Sequence, residues 1–326
     1  MNARRRRFLE LIGCATIAPI LPAKALAQTY PARPIRMIVP YAPGGPADIL
    51  GRLVAHKLSD QLGKQVYVEN IGGAGGNLGL GQGAKAPADG YTVLVTPPNL
   101  VVNPLMYDTV PYDPHKSFDP ITVAVRSPTV LTVHPSLGVN TVKELVALVK
   151  SSKAKYSFAS PGIGTPPHLI GEHFRLSLDL DLVHVPFNSA GLAVGSAVAG
   201  HTPIAFSSLP PAVPQIKEEK LRALAVTSKD RSRALPEVPS MAEVGYPDIE
   251  GDGWFAFIAP RNTPREITTR LHREIVKSLA LPDISEKMAT LGFETVGSSP
   301  EETAALFKAE AVRWTNVIRQ AGIKAD

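Results

Sequence analysis

Cysteine is nearly absent: the 326-residue chain has one, Cys14. It lies inside a leader-like stretch, so the chain beyond that stretch can form neither a disulfide nor a cysteine-based metal site, and buried apolar surface must supply its stability. Past the leader there is no run of 18 apolar residues, which excludes a transmembrane helix by hydropathy. Charge of one sign is lacking as well. Of 34 Lys+Arg and 29 Asp+Glu, residues 1–27 hold five basic (Arg4 to Arg7 and Lys24) and one acidic (Glu10), leaving 29 against 28 and a net charge of +1. That balance gives no support for a nucleic-acid partner or a membrane-surface role. Internal repeats and low-complexity segments are also missing.

Enzyme signatures are equally thin. There is no G-x-S-x-G elbow, and no spacing of Ser, His and Asp points to a triad. His168, Glu172 and His173 fall one residue off the H-x-x-E-H metal spacing, and on a helix His173 lies well round the cylinder from His168 and Glu172. Gly79-Leu80-Gly81-Gln82-Gly83 misses the G-x-G-x-x-G dinucleotide pattern by one position. Those glycines are better read as close packing between a turn and the helix after it. No cofactor, no metal and no catalytic residue is expected.

Residues 1–27 read as a cleavable export signal, with Arg4-Arg5-Arg6-Arg7, an apolar run from Phe8 to Leu21, and Ala25-Leu26-Ala27 as the cleavage site. Arg5-Arg6-Arg7-Phe8-Leu9 fits twin-arginine export, with Sec export the alternative. Leu11-Ile12-Gly13-Cys14 looks like a lipoprotein box, but only six residues part it from Arg7 and Glu10 interrupts them. Either route implies the periplasm.

Beyond the leader, apolar β-branched runs alternate with helical patterns, an α/β signature. Strands are expected at 35–39, 65–69, 92–96, 129–133, 155–159, 182–185, 204–207, 221–227 and 253–259. Helices are expected at 47–62, with Leu50, Leu53, Val54 and Leu58 at helical spacing, at 142–151, and almost throughout 264–321. The proline-rich 99–129 stretch reads as too polar for a strand and suited to a crossover, and Pro236, Pro239 and Pro247 mark a second one. A helical tail packing back on the start would make the first lobe discontinuous: 28–128 plus 252–326, with 129–251 as the second lobe.

Two turns carry the functional signal. In Val39-Pro40-Tyr41-Ala42-Pro43-Gly44-Gly45-Pro46-Ala47-Asp48 a strand runs into paired glycines and then a helix. Glycine permits φ > 0, Pro46 suits the first helical position, and the helix dipole favours an anion. Ser160-Pro161-Gly162-Ile163-Gly164-Thr165-Pro166 repeats the plan, with Thr165 at the N-cap and Pro166 at N1, which should free the Gly162 to Thr165 amides. An acidic ligand held between lobes would explain both. Asp48 is the awkward member of the first seat, and is expected to face away toward the helix N-terminus.

Together with Ala88-Asp89-Gly90-Tyr91-Thr92, Tyr112-Asp113-Pro114, His184-Val185-Pro186-Phe187, Leu221-Arg222-Ala223-Leu224-Ala225-Val226-Thr227 and Trp254, these motifs make the chain resemble the periplasmic solute receptors of tripartite tricarboxylate transporters, the Bug family. The resemblance implies a two-lobed type II periplasmic-binding-protein fold, each lobe a mostly parallel sheet flanked by helices and joined by two crossovers. It further implies capture of a mono-, di- or tricarboxylate by a monomer and delivery to membrane permease subunits. By the same resemblance the ligand residues are Gly44, Gly45, Pro46, Ala47 and Asp48, with Gly162, Gly164, Thr165 and His168; Ser160 joins them, and Tyr41 and Phe187 are candidate pocket walls. An exported enzyme on the same fold, or a sensory receptor, are the alternatives. Asn188-Ser189-Ala190-Gly191-Leu192 departs from the family pattern on the pocket side of the second lobe, so the identity of the acid is left open.

Overall fold

The computed structural model describes residues 30–152 and 154–325; the expected leader lies outside them. Strand β1 (Ile35–Val39) is apolar on both faces, and Ile35, Met37, Ile38 and Val39 are all fully buried. That is the pattern of a parallel strand covered by helices on both sides. It pairs in parallel with β2 (Val66–Asn70) and β3 (Thr92–Thr96), and α1 (Pro46–Leu62) and α2 (Asn77–Ala84) make the connections. Gly79 and Gly83 on α2 let helix and sheet meet: a Cβ at Gly79 would stand 2.8 Å from Pro40 Cα, and one at Gly83 would strike Leu94.

Strand β4 (Phe118–Val133) corrects the expectation for 99–129. The stretch is not too polar to be a strand, because Ile121, Val123, Ala124 and Val125 are buried along it. Pro120 is accommodated at an irregular point, with the register against the partner strand shifting after it and again after Val123. Its first part pairs antiparallel with β9 (Asp252–Pro260) and β10 (Glu294–Thr295), and its last part with β7 (Ile204–Ser208) and β8 (Arg222–Val226). One strand thus passes from one half of the sheet to the other near Pro128 and Thr129.

The first half orders as β2-β1-β3-β9-β4, and the second continues β4-β7-β5-β6 with β5 (Tyr156–Ser160) and β6 (Leu182–Pro186) parallel to each other. In each half most strands run one way, with β9 and β10 opposed in the first and β4 in the second. This is the α/β, periplasmic-binding-protein architecture expected from the sequence. The helices of the second half are α4 (Val142–Ser151), α5 (Pro166–Ser177), α6 (Ala190–Val198) and α7 (Leu209–Lys217). Of the tail, α8 (Arg265–Leu279) packs on α1 and β4, α9 (Pro282–Thr290) lies against α8 and β10, and α10 (Pro300–Ala321) packs on β4 and the short α3 (Asn99–Val102) but also reaches α5. Trp254 and Trp314 both direct their indole N–H to the buried Glu310 carboxylate, at 3.3 and 3.0 Å.

The return from β8 to β9 crosses beside β4. Thr227 Oγ1 accepts from the Thr129 amide at 3.1 Å and donates to the Gly251 carbonyl at 2.6 Å, while the Thr227 and Thr129 backbones pair at 2.9 Å. Both connections between the halves are therefore clasped at one point.

Candidate functional site

Five strand-to-helix turns converge on one cavity: β1 to α1, β3 to α3, β5 to α5, β6 to α6 and β7 to α7. Ligand sites of open α/β sheets lie at such carboxyl ends, where helix N-termini point inward. The lining includes Tyr41, Gly45, Pro46 and Ala47 from the first turn, Thr165, Pro166 and Pro167 from the third, and Ser189 and Ala190 from the fourth. A second space adjoins it, sharing Tyr41, Pro161, Thr165 and Asn188 and adding Gly72 to Gly76, Tyr107, Gly162 and Phe187. Neither lining contains a charged side chain or a histidine. An anion here must be held by backbone amides, neutral side chains and helix dipoles.

The first turn is built by Asp48 from behind. Gly44 sits at φ +83°, and its N–H donates to Asp48 Oδ2 at 2.9 Å. Arg52 Nε donates to the same oxygen at 3.0 Å, and Asn70 Nδ2 donates to Oδ1 at 2.9 Å and to the Tyr41 carbonyl at 3.0 Å. Burial pushes the Asp48 carboxyl up, but the hydrogen bonds from Arg52, Gly44 and Asn70 outweigh it and hold the group below its ordinary value. With Asp48 and Gly44 occupied with each other, the Gly45, Ala47 and Asp48 amides have no internal acceptor among the described residues. Asp48 and Gly44 line neither cavity, and the Asp48 carboxylate braces the turn from behind.

The second turn corrects the expected seat. Its amides are not free from Gly162 to Thr165. The Gly162 N–H donates to Ser160 Oγ at 3.2 Å, the Gly164 N–H to His168 Nδ1 at 3.0 Å, and the Thr165 N–H to the Gly162 carbonyl at 3.3 Å. Thr165 stands at the N-cap and Pro166 at N1 as expected, yet Thr165 Oγ1 makes no cap bond; it donates to the Gly162 carbonyl at 2.7 Å. Pro166 and Pro167 have no N–H to offer. Only Ile163 keeps an uncommitted amide within 162–165.

Behind that turn two histidines stack, His168 on His184, with ring centroids 3.9 Å apart. His184 Nε2 lies 2.6 Å from Ser160 Oγ. Burial lowers both: the His184 value falls to about 4, and His168, which also feels His184, lies well below the ordinary range. Both rings are neutral at pH 7, and His168 Nδ1, as acceptor, leaves the proton on Nε2. His168 faces a different opening, with Glu172, Arg175 and His184, and so is not a cavity contact. Ser160 is fully buried and spent inside the turn, and Gly164, at φ +74°, packs on Met106.

The sequence reading placed the fourth turn on the pocket side of the second lobe but assigned no ligand residue to it. Asn188-Ser189-Ala190 lines the main cavity, Ser189 Oγ caps α6 through the Leu192 N–H at 3.3 Å, and the Ala190 and Gly191 amides have no internal acceptor among the described residues. Its signal was present, since a strand there enters a Ser-capped helix just as elsewhere. Asn99, Ser208 and Phe255 were missed as well. Glu172 pairs with Arg175 at 2.7 Å, and among the described residues no group of three or more His, Cys, Asp or Glu is placed to hold a metal ion.

The family model for the tripartite tricarboxylate transporter family receptor matches residues 50–323. A protein encoded in the tcbD-tcbE intergenic region of a Pseudomonas species is 38% identical over 326 residues, covering 100% of this chain and 97% of its own. Protein BugT of Bordetella pertussis is 35% identical over 320 residues, covering 98% of each chain. Among solved structures, an R. palustris protein with adipate superimposes with a TM-score of 0.87 at 32% identity, covering 90% of this chain and 99% of that one. Periplasmic binding protein BugD gives 0.85 at 34%, with 90% and 99% covered. The family match over most of the sequence, the end-to-end likeness to BugT and the shared fold show that this chain belongs to the tripartite tricarboxylate transporter receptors of the Bug type.

Proposed function

We propose that the protein is an extracytoplasmic receptor that captures a small organic carboxylate between two lobes, 28–128 plus 252–326 and 129–251, and presents it to a permease of the tripartite tricarboxylate type. One observation carries this reading: helix N-termini from both halves of the sheet meet at a cavity with no charged side chain, where α1 and α6 each offer open amides to an anion. The clasp of Thr129, Thr227 and Gly251 is the place where the halves could pivot, and a ligand bridging both would favour the closed form. The R. palustris neighbour with adipate and a second with bound malate support a carboxylate. Export by the 1–27 leader accounts for the meeting of receptor and solute outside the cytoplasm.

Heat unfolding of ligand-free protein against a panel of mono-, di- and tricarboxylates tests the proposal. An acid at 100 times its Kd should add about 2.7 kcal/mol of stability. If folded, ligand-free protein is stabilised by no carboxylate, the receptor reading fails.

A further inference from the structure

The two glycine turns are braced by one device, repeated in each half of the molecule. In the first, Gly44 at φ +83° donates its N–H to Asp48 Oδ2 at 2.9 Å. In the second, Gly164 at φ +74° donates its N–H to His168 Nδ1 at 3.0 Å. Each glycine stands two residues before the proline that opens its helix, Pro46 or Pro166, and each acceptor is the third residue of that helix, buried and reaching back four residues. Gly164 is buried, so its N–H needs an acceptor within the protein, and the acceptor in turn fixes the turn. Asp48 has Arg52 to balance its charge, whereas the neutral His168 ring needs no counter-ion for the same task.

Neither acceptor lines the two cavities, but what each holds leads into them. His168 faces the opening that it shares with Glu172, Arg175 and His184. Gly164 runs directly into Thr165 and Pro166, which line the main cavity. Its other neighbours belong to the first half: a Cβ on Gly164 would lie 2.0 Å from Met106 Cε and 3.5 Å from Asn99 Nδ2, and Asn99 also lines the cavity. The conformation at Gly164 therefore sets both the second half's wall and its seat against the first half. The ring that fixes it is itself locked. His184 stacks on it with 3.9 Å between centroids and the planes 22° apart, and Ser160 Oγ anchors His184 Nε2 at 2.6 Å.

We infer that His168 is the positioning residue of the α5 turn, its Nδ1 holding the Gly164 amide and through it the second half's share of the carboxylate site, as Asp48 does for the first; the inference rests on the carboxylate-receptor reading. Asparagine and leucine test it, because they branch alike at Cγ and only asparagine can place an acceptor oxygen at the δ position that Nδ1 occupies. Calorimetric titration with the tightest-binding acid of the carboxylate panel compares the unmodified protein, His168→Asn and His168→Leu, each freed of ligand by unfolding and refolding, with urea unfolding of each alongside. His168→Asn should stay within about threefold of the unmodified protein, and His168→Leu should bind roughly tenfold or more weakly, the worth of one lost hydrogen bond. A ring that only fills space predicts the reverse order, since leucine suits a buried site better than asparagine. Folded His168→Leu binding as tightly as His168→Asn overturns the inference and leaves the carboxylate receptor standing. On the unmodified protein, the NMR signals of His168 Nδ1 and the Gly164 amide should move along the acid's saturation curve; both staying fixed while the acid binds overturns the inference even if a variant fails to fold. No acid binding the unmodified protein overturns the receptor reading and this inference together.

Discussion

Asp48 is the third residue of α1, and its carboxylate reaches back four residues to the Gly44 amide while Arg52 reaches forward to it from the next turn. It fixes the glycine conformation that leaves the Gly45 and Ala47 amides open. Replacing it with alanine removes charge-assisted hydrogen bonds from a buried site and should cost about 2–3 kcal/mol by urea unfolding, with weaker ligand binding. Because its folded value is lowered, its contribution is present above the unfolded carboxylate range and disappears as pH falls through the folded value. The four-residue spacing of Asp48 and Arg52 on α1 permits the pair. Asn70, which completes the cluster, is 22 residues from Asp48, and only the β1–β2 register brings it near.

The histidine pair titrates with the opposite chemistry and the same sign. His184 is lowered from 6.5 to about 4, so unfolded chains bind its proton first and stability falls as pH drops from about 6.5 to 4. The full effect is roughly 3 kcal/mol. His184→Gln should flatten that limb of a stability-versus-pH curve; an unchanged slope would mean that the ring is not held neutral in the folded protein.

At the scale of elements, a helix start serves an anion through the amides it leaves without an internal acceptor, as α1 and α6 do. Ala190 is the first residue of α6, a position that tolerates proline, and Ser189 before it has ψ 160°, the extended conformation that a following proline requires. Ala190→Pro should therefore fold normally and lose one ligand donor, weakening a bound carboxylate by roughly 10- to 150-fold, the worth of about 1.5–3 kcal/mol. Gly164→Ala is the structural counterpart. At φ +74° its Cβ would strike Met106 Cε, so a loss above about 2 kcal/mol is expected, partly relieved in combination with Met106→Ala.

Most strands were legible because their apolar runs are short, β-branched and bounded by glycine and proline. The start of β4 was not. Its prolines argue against a ladder strand, yet Pro120 falls at a register shift and Pro128 at the end of the pairing with β9. The α1 turn could be read from Gly44 to Pro46, whereas the α5 turn misled, since nothing local shows that Ser160 and His168 take up the Gly162 and Gly164 amides.

Across the whole molecule, the two connections meet at Thr129, Thr227 and Gly251, and Asp252 follows immediately. Its Oδ1 is buried without a hydrogen bond, and burial, with Glu294 and Glu250 adding to it against Arg126 and Arg313, raises it to about 6. A raised acid stabilises below its unfolded value and loses that contribution as pH climbs through about 6, opposite in slope to His184. Asp252→Asn should accordingly raise stability at pH 7 by about 1–3 kcal/mol in urea unfolding.

The central proposal is that one carboxylate engages helix starts from both halves at once. Amide chemical shifts of Gly45, Ala47, Ala190 and Gly191, followed by NMR during titration with the tightest-binding acid of the panel, test it most directly. The expected result is that signals from both the α1 and the α6 sets move together along one saturation curve. Movement of one set alone, or of neither while the acid binds, would contradict a ligand held between the halves.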